Sequence, residues 1–186
     1  WVYVADRENH RIQVFDVDGT FKRFIFLNAV YDKSHHPVLG NLPASPPDET
    51  QPWTLCITNG PTQYLYSSDS EPGRIYKLTL DGTIIGTMGI SGRDTKEFNW
   101  IHALACPTDD TLYVADTENH LLRKIDLKAK KVATIAGTGE QSRQNWPGLD
   151  RVTNLDNFRI PDRWVGKPRV TAINSPWDLW IHGQNL

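Results

Sequence analysis

VADRENHRIQVFD (residues 4–16) is followed later in the chain by a close copy, VADTENHLLRKID (residues 114–126). A third and more divergent copy, YSSDSEPGRIYKLTLDG, lies between them at residues 66–82. In each copy a short apolar run ends near an aspartate, a polar turn follows, and a second, alternating run comes after it. Alternation with a period of two is typical of half-buried strands, so the repeated text predicts a strand–turn–strand unit.

Neighbouring sequence extends each unit to four strands. In the copies at residues 4–16 and 66–82 the second strand leads into Asp-Gly, and this dipeptide tolerates the positive φ of a tight hairpin, which predicts a third strand. Three stretches each supply one further apolar strand. PWTLCIT lies upstream of the copy at residues 66–82, IHALACP lies upstream of the copy at residues 114–126, and SPWDLWIH lies near the end of the chain. Repeated units of four antiparallel strands are typical of the blades of a β-propeller.

The predicted fold class is therefore all-β, a β-propeller of four-stranded antiparallel blades with almost no helix. We expect one partial propeller domain over residues 1–186, with blade segments at 1–27, 51–90, 99–137 and 174–186 and long loops at 28–50 and 138–173. The strands are predicted at residues 1–5, 11–16, 20–26, 52–58, 63–68, 73–80, 83–88, 101–106, 111–115, 121–126, 131–136 and 176–182.

Charge and hydropathy exclude some functions. The 20 basic and 22 acidic residues include no basic run, so a nucleic-acid partner is not expected. No apolar stretch is long enough to cross a bilayer, and the first residues, WVYVADREN, lack the features of a secretory signal. We expect a soluble globular chain whose compartment the sequence leaves open.

The two cysteines are predicted to have a structural role. Cys56 and Cys106 lie in similar apolar runs, which favours inert buried thiols over a disulfide or a redox pair.

The aspartate of each copy is expected to accept hydrogen bonds from backbone N–H groups across the turn. The left-handed backbone positions of the turns are assigned to Asn9, Gly73 and Asn119, and the histidines beside the two asparagines, His10 and His120, are predicted to be surface turn residues rather than metal ligands.

The two thirteen-residue copies resemble NHL repeats, whose usual fold is a propeller, often with six blades. Residues 1–127, above all PGRIYKLTLDG and FNWIHALACPTDDTLYVAD, resemble bacterial proteins grouped with peptidyl-hydroxyglycine amidating lyase. That lyase is a zinc enzyme that cleaves a hydroxyglycine-extended peptide into an amide and glyoxylate. The resemblance places His102 on one of its three zinc-binding histidines and Arg7 on an active-site arginine. From about residue 128 onward, TIAGTGEQ and NSPWDLWIHG instead resemble NHL domains of thioredoxin-linked proteins.

A catalytic zinc needs three protein ligands and one open position. The inner strands aligned with His102 carry Trp53 and Trp177 at the matching position, and tryptophan does not bind zinc. A complete zinc site would therefore need blades outside this chain. The simpler interpretation of His102 is a hydrogen-bonded or packed residue at the mouth of an inner strand, and that of Arg7 is a surface turn arginine.

Two functions remain at this stage. The favoured one is a binding scaffold whose channel face, lined by Trp53, His102 and Trp177, holds a protein, a peptide or a small molecule without a cofactor. The alternative is a zinc-dependent lyase with His102 as a metal ligand and Arg7 as a catalytic residue. Because about three blades do not close a ring, we expect either a piece of a longer protein or a homodimer in which residues 175–182 lie beside residues 1–5 of the other copy.

Overall fold

The computed structural model describes residues 1–29, 50–69, 73–141 and 167–181. Within these ranges the chain forms three antiparallel sheets and one short parallel pair of strands. The strands are β1 (Val2–Asp6), β2 (Arg11–Phe15), β3 (Phe21–Ile25), β4 (Pro52–Ile57), β5 (Leu65–Asp69), β6 (Ile75–Leu78), β7 (Ile84–Met88), β8 (Ile90–Ser91), β9 (Glu97–Phe98), β10 (Ile101–Thr108), β11 (Thr111–Asp116), β12 (Leu121–Asp126) and β13 (Lys131–Ala136).

The three main sheets keep the order of the chain. They run β1-β2-β3, β4-β5-β6-β7 and β10-β11-β12-β13, and we call them the first, second and third blades. Every strand predicted before residue 137 is present, with its ends shifted by at most two residues. Helix among the described residues is confined to single 3₁₀ turns at Arg7–Asn9, Thr117–Asn119 and Pro168–Val170. The all-β prediction of antiparallel blades is confirmed.

One strand prediction is wrong for the residues that the structure describes. Residues 176–181 carry no strand assignment, although the sequence predicts a strand over 176–182. The apolar alternation is there, but a strand also requires a hydrogen-bonded neighbour, and no described segment pairs with this one. The short parallel pair β8–β9, between the second and third blades, was not predicted.

One backbone position of the repeated polar turn is the same in each blade. The residue four positions after the aspartate is left-handed in all three copies, with φ of 55° at His10, 60° at Gly73 and 54° at His120. The assignment of this position to Asn9 and Asn119 was therefore wrong by one residue, whereas Gly73 was correct. Asn9 and Asn119 instead end the 3₁₀ turns, where a right-handed backbone is required.

Each repeated aspartate contacts the side chain seven residues further on, across the β-hairpin. Gln13 Nε2 donates to Asp6 Oδ2 at 2.6 Å and Tyr76 Oη donates to Asp69 Oδ2 at 3.2 Å, while in the third blade Arg123 Nε lies 2.7 Å from the carboxylate of Asp116 as an ion pair. The repeated text is thus architectural, because one carboxylate ties the turn to the following strand in every blade.

Backbone N–H bonds across the turn were expected at these aspartates, but the bonds that two of them accept come from elsewhere. Asp116 accepts the N–H of Asn99 at 2.7 Å, and Asp69 accepts the N–H of Gln51 at 3.2 Å. Both donors come just before the inner strand of the same blade, not from the turn itself. The aspartate therefore fixes the point where the inner strand begins, which is the end of the blade that carries the candidate site.

The hydrophobic core lies between the blades. One buried cluster joins the first and second blades and includes Ile12, Val14 and Leu78, and another joins the second and third blades and includes Tyr66, Phe98 and Val114. Complete burial of an aliphatic or aromatic side chain contributes about 1.5–3 kcal/mol, so the blades are held by packing face against face. This packing sets the spacing between neighbouring inner strands.

A disulfide bond joins two of these inner strands. Cys56 on β4 and Cys106 on β10 are bonded, with 6.0 Å between their Cα atoms. The expectation of two inert thiols was therefore wrong. Each cysteine lies in a buried-strand pattern as predicted, but the sequence pattern of a strand does not show which residues of the next blade face it.

Several sequence predictions lie outside the described residues. They concern most of the loops at 28–50 and 138–173, together with the end of the last blade segment from residue 182 onward. No helix in the described part of the chain is long and apolar enough to cross a membrane.

Candidate functional site

Four side chains from four separate segments form one continuous row. The Arg7 guanidinium carbon lies 3.9 Å from the centroid of the Trp53 ring. The Trp53 ring meets the His102 ring edge-to-face at 5.2 Å, and His102 stacks on Trp177 at 4.4 Å. These are all the residues that the sequence put forward as site candidates, and the structure brings them into contact. We call Arg7, Trp53, His102 and Trp177 the aromatic row.

The fold explains why residues so distant in sequence meet. Trp53 and His102 are the second residues of the inner strands β4 and β10, which lie side by side in neighbouring blades. Arg7 begins the 3₁₀ turn after β1 in the first blade, and Trp177 lies in the segment after the third blade. The row therefore crosses the same end of consecutive blades, and blade packing sets the distances along it.

His102 has a defined orientation within the row. Its Nδ1 lies 3.1 Å from the backbone oxygen of Trp177. Because a carbonyl oxygen only accepts, Nδ1 carries the proton and Nε2 presents a lone pair. The described residues offer no hydrogen-bond partner to Nε2. Stacking and this bond together hold the Trp177 segment against the third blade.

One of the two turn histidines, His120, supports the same segment. His120 Nδ1 accepts the N–H of Ser175 at 3.1 Å, and Thr117 Oγ1 donates to the carbonyl oxygen of Pro176 at 2.6 Å. His120 is therefore a turn residue, as the sequence predicts, with a second role in positioning the segment before Trp177. His10, at the same position of the first turn, is only partly exposed as well.

Arg7 is the least tightly held member of the row. Its guanidinium is paired with the neighbouring carboxylate of Glu8, and both side chains are well exposed. Its Nε and Nη2 both donate to Glu8 Oε1 while the guanidinium stacks on Trp53, so a cation lies at the end of the aromatic surface. The structure thus places Arg7 both as a surface turn arginine and as part of the row.

Sequence reasoning missed Trp100. Its ring meets Trp53 edge-to-face at 5.5 Å, and it is 42% exposed. Its φ of 55° is in the left-handed region, which is uncommon for a bulky residue and costs about 1–2 kcal/mol. The available signal was an aromatic residue directly before the inner strand, in FNWIHALACP. Trp100 widens the row at its centre.

The metal-ligating side chains near the row are few. His102 is its single imidazole, because the aligned positions hold Trp53 and Trp177 as the sequence indicated. Within the described ranges, no three histidine, cysteine or carboxylate side chains are grouped so that they could hold a metal ion.

Comparisons with known proteins agree with the repeats. The family model for the NHL repeat matches residues 2–15. NHL repeat-containing protein 2 of Homo sapiens is 42% identical over 71 residues, which cover 38% of this chain and 7% of the relative. The protein of the same name from Gallus gallus is 33% identical over 122 residues, covering 62% of this chain and 14% of the relative. The chain thus spans only a small part of the curated relatives it matches.

Among solved structures, a protein of unknown function from Bacteroides thetaiotaomicron has a similar fold. The TM-score is 0.50 at 19% identity, covering 95% of this chain and 40% of that chain. The narrower resemblance of residues 1–127 to the amidating lyase stays a prediction. The chain therefore carries a match to the NHL repeat at residues 2–15 and has the fold of β-propeller blades.

Proposed function

We propose that this chain is a binding scaffold and that the aromatic row, with Trp100, is the surface that contacts the ligand. The observation that carries the proposal is the row itself, in which four separate chain segments each contribute one side chain at the same end of the fold. A purely structural role does not require these side chains to stay exposed to solvent, yet Trp177 is 64% exposed and Trp100 is 42% exposed.

The chemistry of the row favours a polypeptide ligand. Tryptophan and arginine are the residue types that most often dominate the binding energy of protein interfaces, because they offer large rigid contact areas together with hydrogen-bond donors. Here the Arg7 guanidinium and the His102 Nε2 lie among three indole rings, so donors and an acceptor border an apolar surface. The left-handed backbone of Trp100 adds support, since such strain is frequent at binding sites.

Selection of a displayed random-peptide library on the immobilised protein tests the proposal. We expect recovered peptides to bind about thirtyfold more weakly to Trp53→Ala and Trp177→Ala, because loss of a central interface tryptophan typically costs about 2 kcal/mol. Trp177 is well exposed, so its removal leaves the folded core intact.

Trp180→Ala is the matched control for this experiment. Trp180 is 82% exposed in the same segment, and no ring contact joins it to the aromatic row. Its removal should leave binding unchanged. Peptides that bind the Trp53 and Trp177 variants as tightly as the unchanged protein would contradict the proposal, as would peptides that depend on Trp180 alone.

A zinc-dependent lyase resembling the amidating lyase is the second candidate, and the orientation of His102 favours it. A zinc-binding histidine commonly donates its other ring N–H to a backbone carbonyl, as His102 does to Trp177. The residues described here do not form a zinc site by themselves, because the row supplies one imidazole where three protein ligands are needed. This candidate therefore requires ligands from outside the described residues.

Zinc binding separates the two candidates. After zinc loading and dialysis we expect the isolated chain to retain less than about a tenth of an equivalent of zinc, because one imidazole leaves the ion largely hydrated. Elemental analysis of the unchanged protein and of His102→Ala provides the measurement. One equivalent of retained zinc that His102→Ala abolishes would favour the lyase over the scaffold.

A further inference from the structure

A cavity of about 370 Å³ lies between the second and third blades, away from the aromatic row. Its walls come from the end of β7 in the second blade, from β9, and from β12 and β13 of the third blade. This volume lies within the range of small-molecule sites, which are usually apolar clefts with a few polar groups at fixed positions.

The floor of the cavity is apolar. Phe98 and Ile125 belong to the buried core between the two blades, and Met88, Leu127 and Val132 pack against it while also lining the cavity. Gly89 lies on the wall with a φ of 82°, and a Cβ there would come within 2.7 Å of the Phe98 ring. The glycine thus leaves room for Phe98 to form the floor.

Two ammonium groups border this apolar space. Lys96 and Lys130 line the cavity and are exposed, and within the described part of the chain neither forms an ion pair or a hydrogen bond. The carboxylate of Asp126, also in the lining, already accepts the N–H of Ala129 at 2.7 Å. Among the described residues, the lining therefore contains two lysine ammonium groups without a partner and one carboxylate that already accepts a backbone hydrogen bond.

We propose that this cleft is a second binding site, specific for a small amphipathic anion such as a medium-chain carboxylate. The apolar tail contacts Met88, Phe98 and Val132, and the anionic head lies between Lys96 and Lys130. Charge complementarity selects the anion, since an apolar molecule without a charge leaves both lysines unused and a cationic amphiphile meets repulsion. The site is independent of the aromatic row and of whatever ligand the row binds.

Met88 gives this proposal a direct readout, because it is the single methionine of the chain. Protein labelled with ¹³C at the methionine methyl group yields one signal, which reports on the cavity wall. We expect octanoate at about 10 mM to shift this signal with saturation, and octanol and octylamine to bind at least about fivefold more weakly, the difference that one modest charge interaction provides.

Substitution of the lysines tests the anion specificity. Both are exposed, so Lys96→Gln and Lys130→Asn leave the core unchanged, and asparagine suits the left-handed backbone of position 130. We expect each to weaken octanoate binding about threefold and the double variant about tenfold. Lys131→Gln, at the start of β13 next to Lys130 but outside the cavity lining, is the matched control and should bind octanoate as the unchanged protein does.

Three results would overturn the proposal. They are a Met88 signal that octanoate does not move, equal affinity for octanol and octanoate, and a double variant that binds octanoate as well as the Lys131→Gln control does.

Discussion

Replacement of Cys56 by serine is expected to lower the free energy of unfolding by about 4 kcal/mol. The disulfide joins residues that are 50 positions apart, and closing a loop of that length removes about this much chain entropy from the unfolded state. The bond also connects the inner strands of the second and third blades. Denaturant unfolding of the oxidised protein and of the variant gives the difference.

The matched control is chemical reduction. The unchanged protein in excess dithiothreitol should unfold at the same denaturant concentration as Cys56→Ser, and the variant itself should not respond to the reductant. Cys106→Ser should match Cys56→Ser, because either substitution removes the same bond. Two titratable thiols in the native oxidised protein, or equal stability of all forms, would contradict this assignment.

Replacement of Arg123 by leucine is expected to cost about 3 kcal/mol or more at pH 8. Arg123 and Asp116 form an ion pair at 2.7 Å with side chains that are 2% and 0% exposed. Removing one partner of a buried pair leaves the other charge uncompensated, which typically costs 3–5 kcal/mol. Arg123 also donates to the carbonyl oxygens of Asp94 and Thr95, in the loop between two blades.

The stability that Arg123→Leu loses should depend on pH. Burial raises the pKa of Asp116 from 3.8 to about 6, although Arg123 and the bonds from Asn99 and Asn119 oppose the shift. The folded state therefore binds this proton more tightly than the unfolded state, so the contribution of Asp116 to stability is largest below pH 3.8 and is lost as pH rises through about 6. The Arg123→Leu penalty should accordingly be smaller at pH 5 than at pH 8.

A partly exposed ion pair in the first blade serves as the comparison. Arg11 pairs with Asp6 at 2.8 Å, with side chains 29% and 17% exposed. Bonds from Asn9 and Arg11 lower the pKa of Asp6 below its usual value. Arg11→Leu should cost much less than Arg123→Leu, because solvent screens such a pair. Equal losses in the two blades would show that burial does not distinguish these pairs.

The sequence predicted the strands well because each strand carries its own signal. Alternation in RIQVF places Ile12 and Val14 in the core, and Asp-Gly marks the hairpin before β3 and before β7. These signals are local, and the geometry of an antiparallel blade follows from strands joined by short turns. The members of the aromatic row were found differently: His102 and Arg7 came from the resemblance to the amidating lyase, and Trp53 and Trp177 came from aligning the other inner strands with His102.

Features that depend on contact between blades were not predictable in this way. The Cys56–Cys106 bond requires the register of β4 against β10, and the lysine-bordered cavity requires the distance between β7 and β13. Trp100 was missed because its role follows from a left-handed backbone that nothing in FNWIHALACP indicates. The predicted strand at 176–182 failed because pairing with a neighbour, which the pattern of one segment does not encode, decides whether a strand forms.

The most direct test of the proposed binding surface is the indole N–H spectrum of the protein, which has seven tryptophans. Each signal is assigned by single substitution, and a peptide recovered from the library is then added. The proposal predicts that Trp53, Trp100 and Trp177 shift together with a common saturation curve, while the exposed Trp1 and Trp180 do not move. Shifts confined to Trp1 or Trp180, with the aromatic row unchanged, would contradict it.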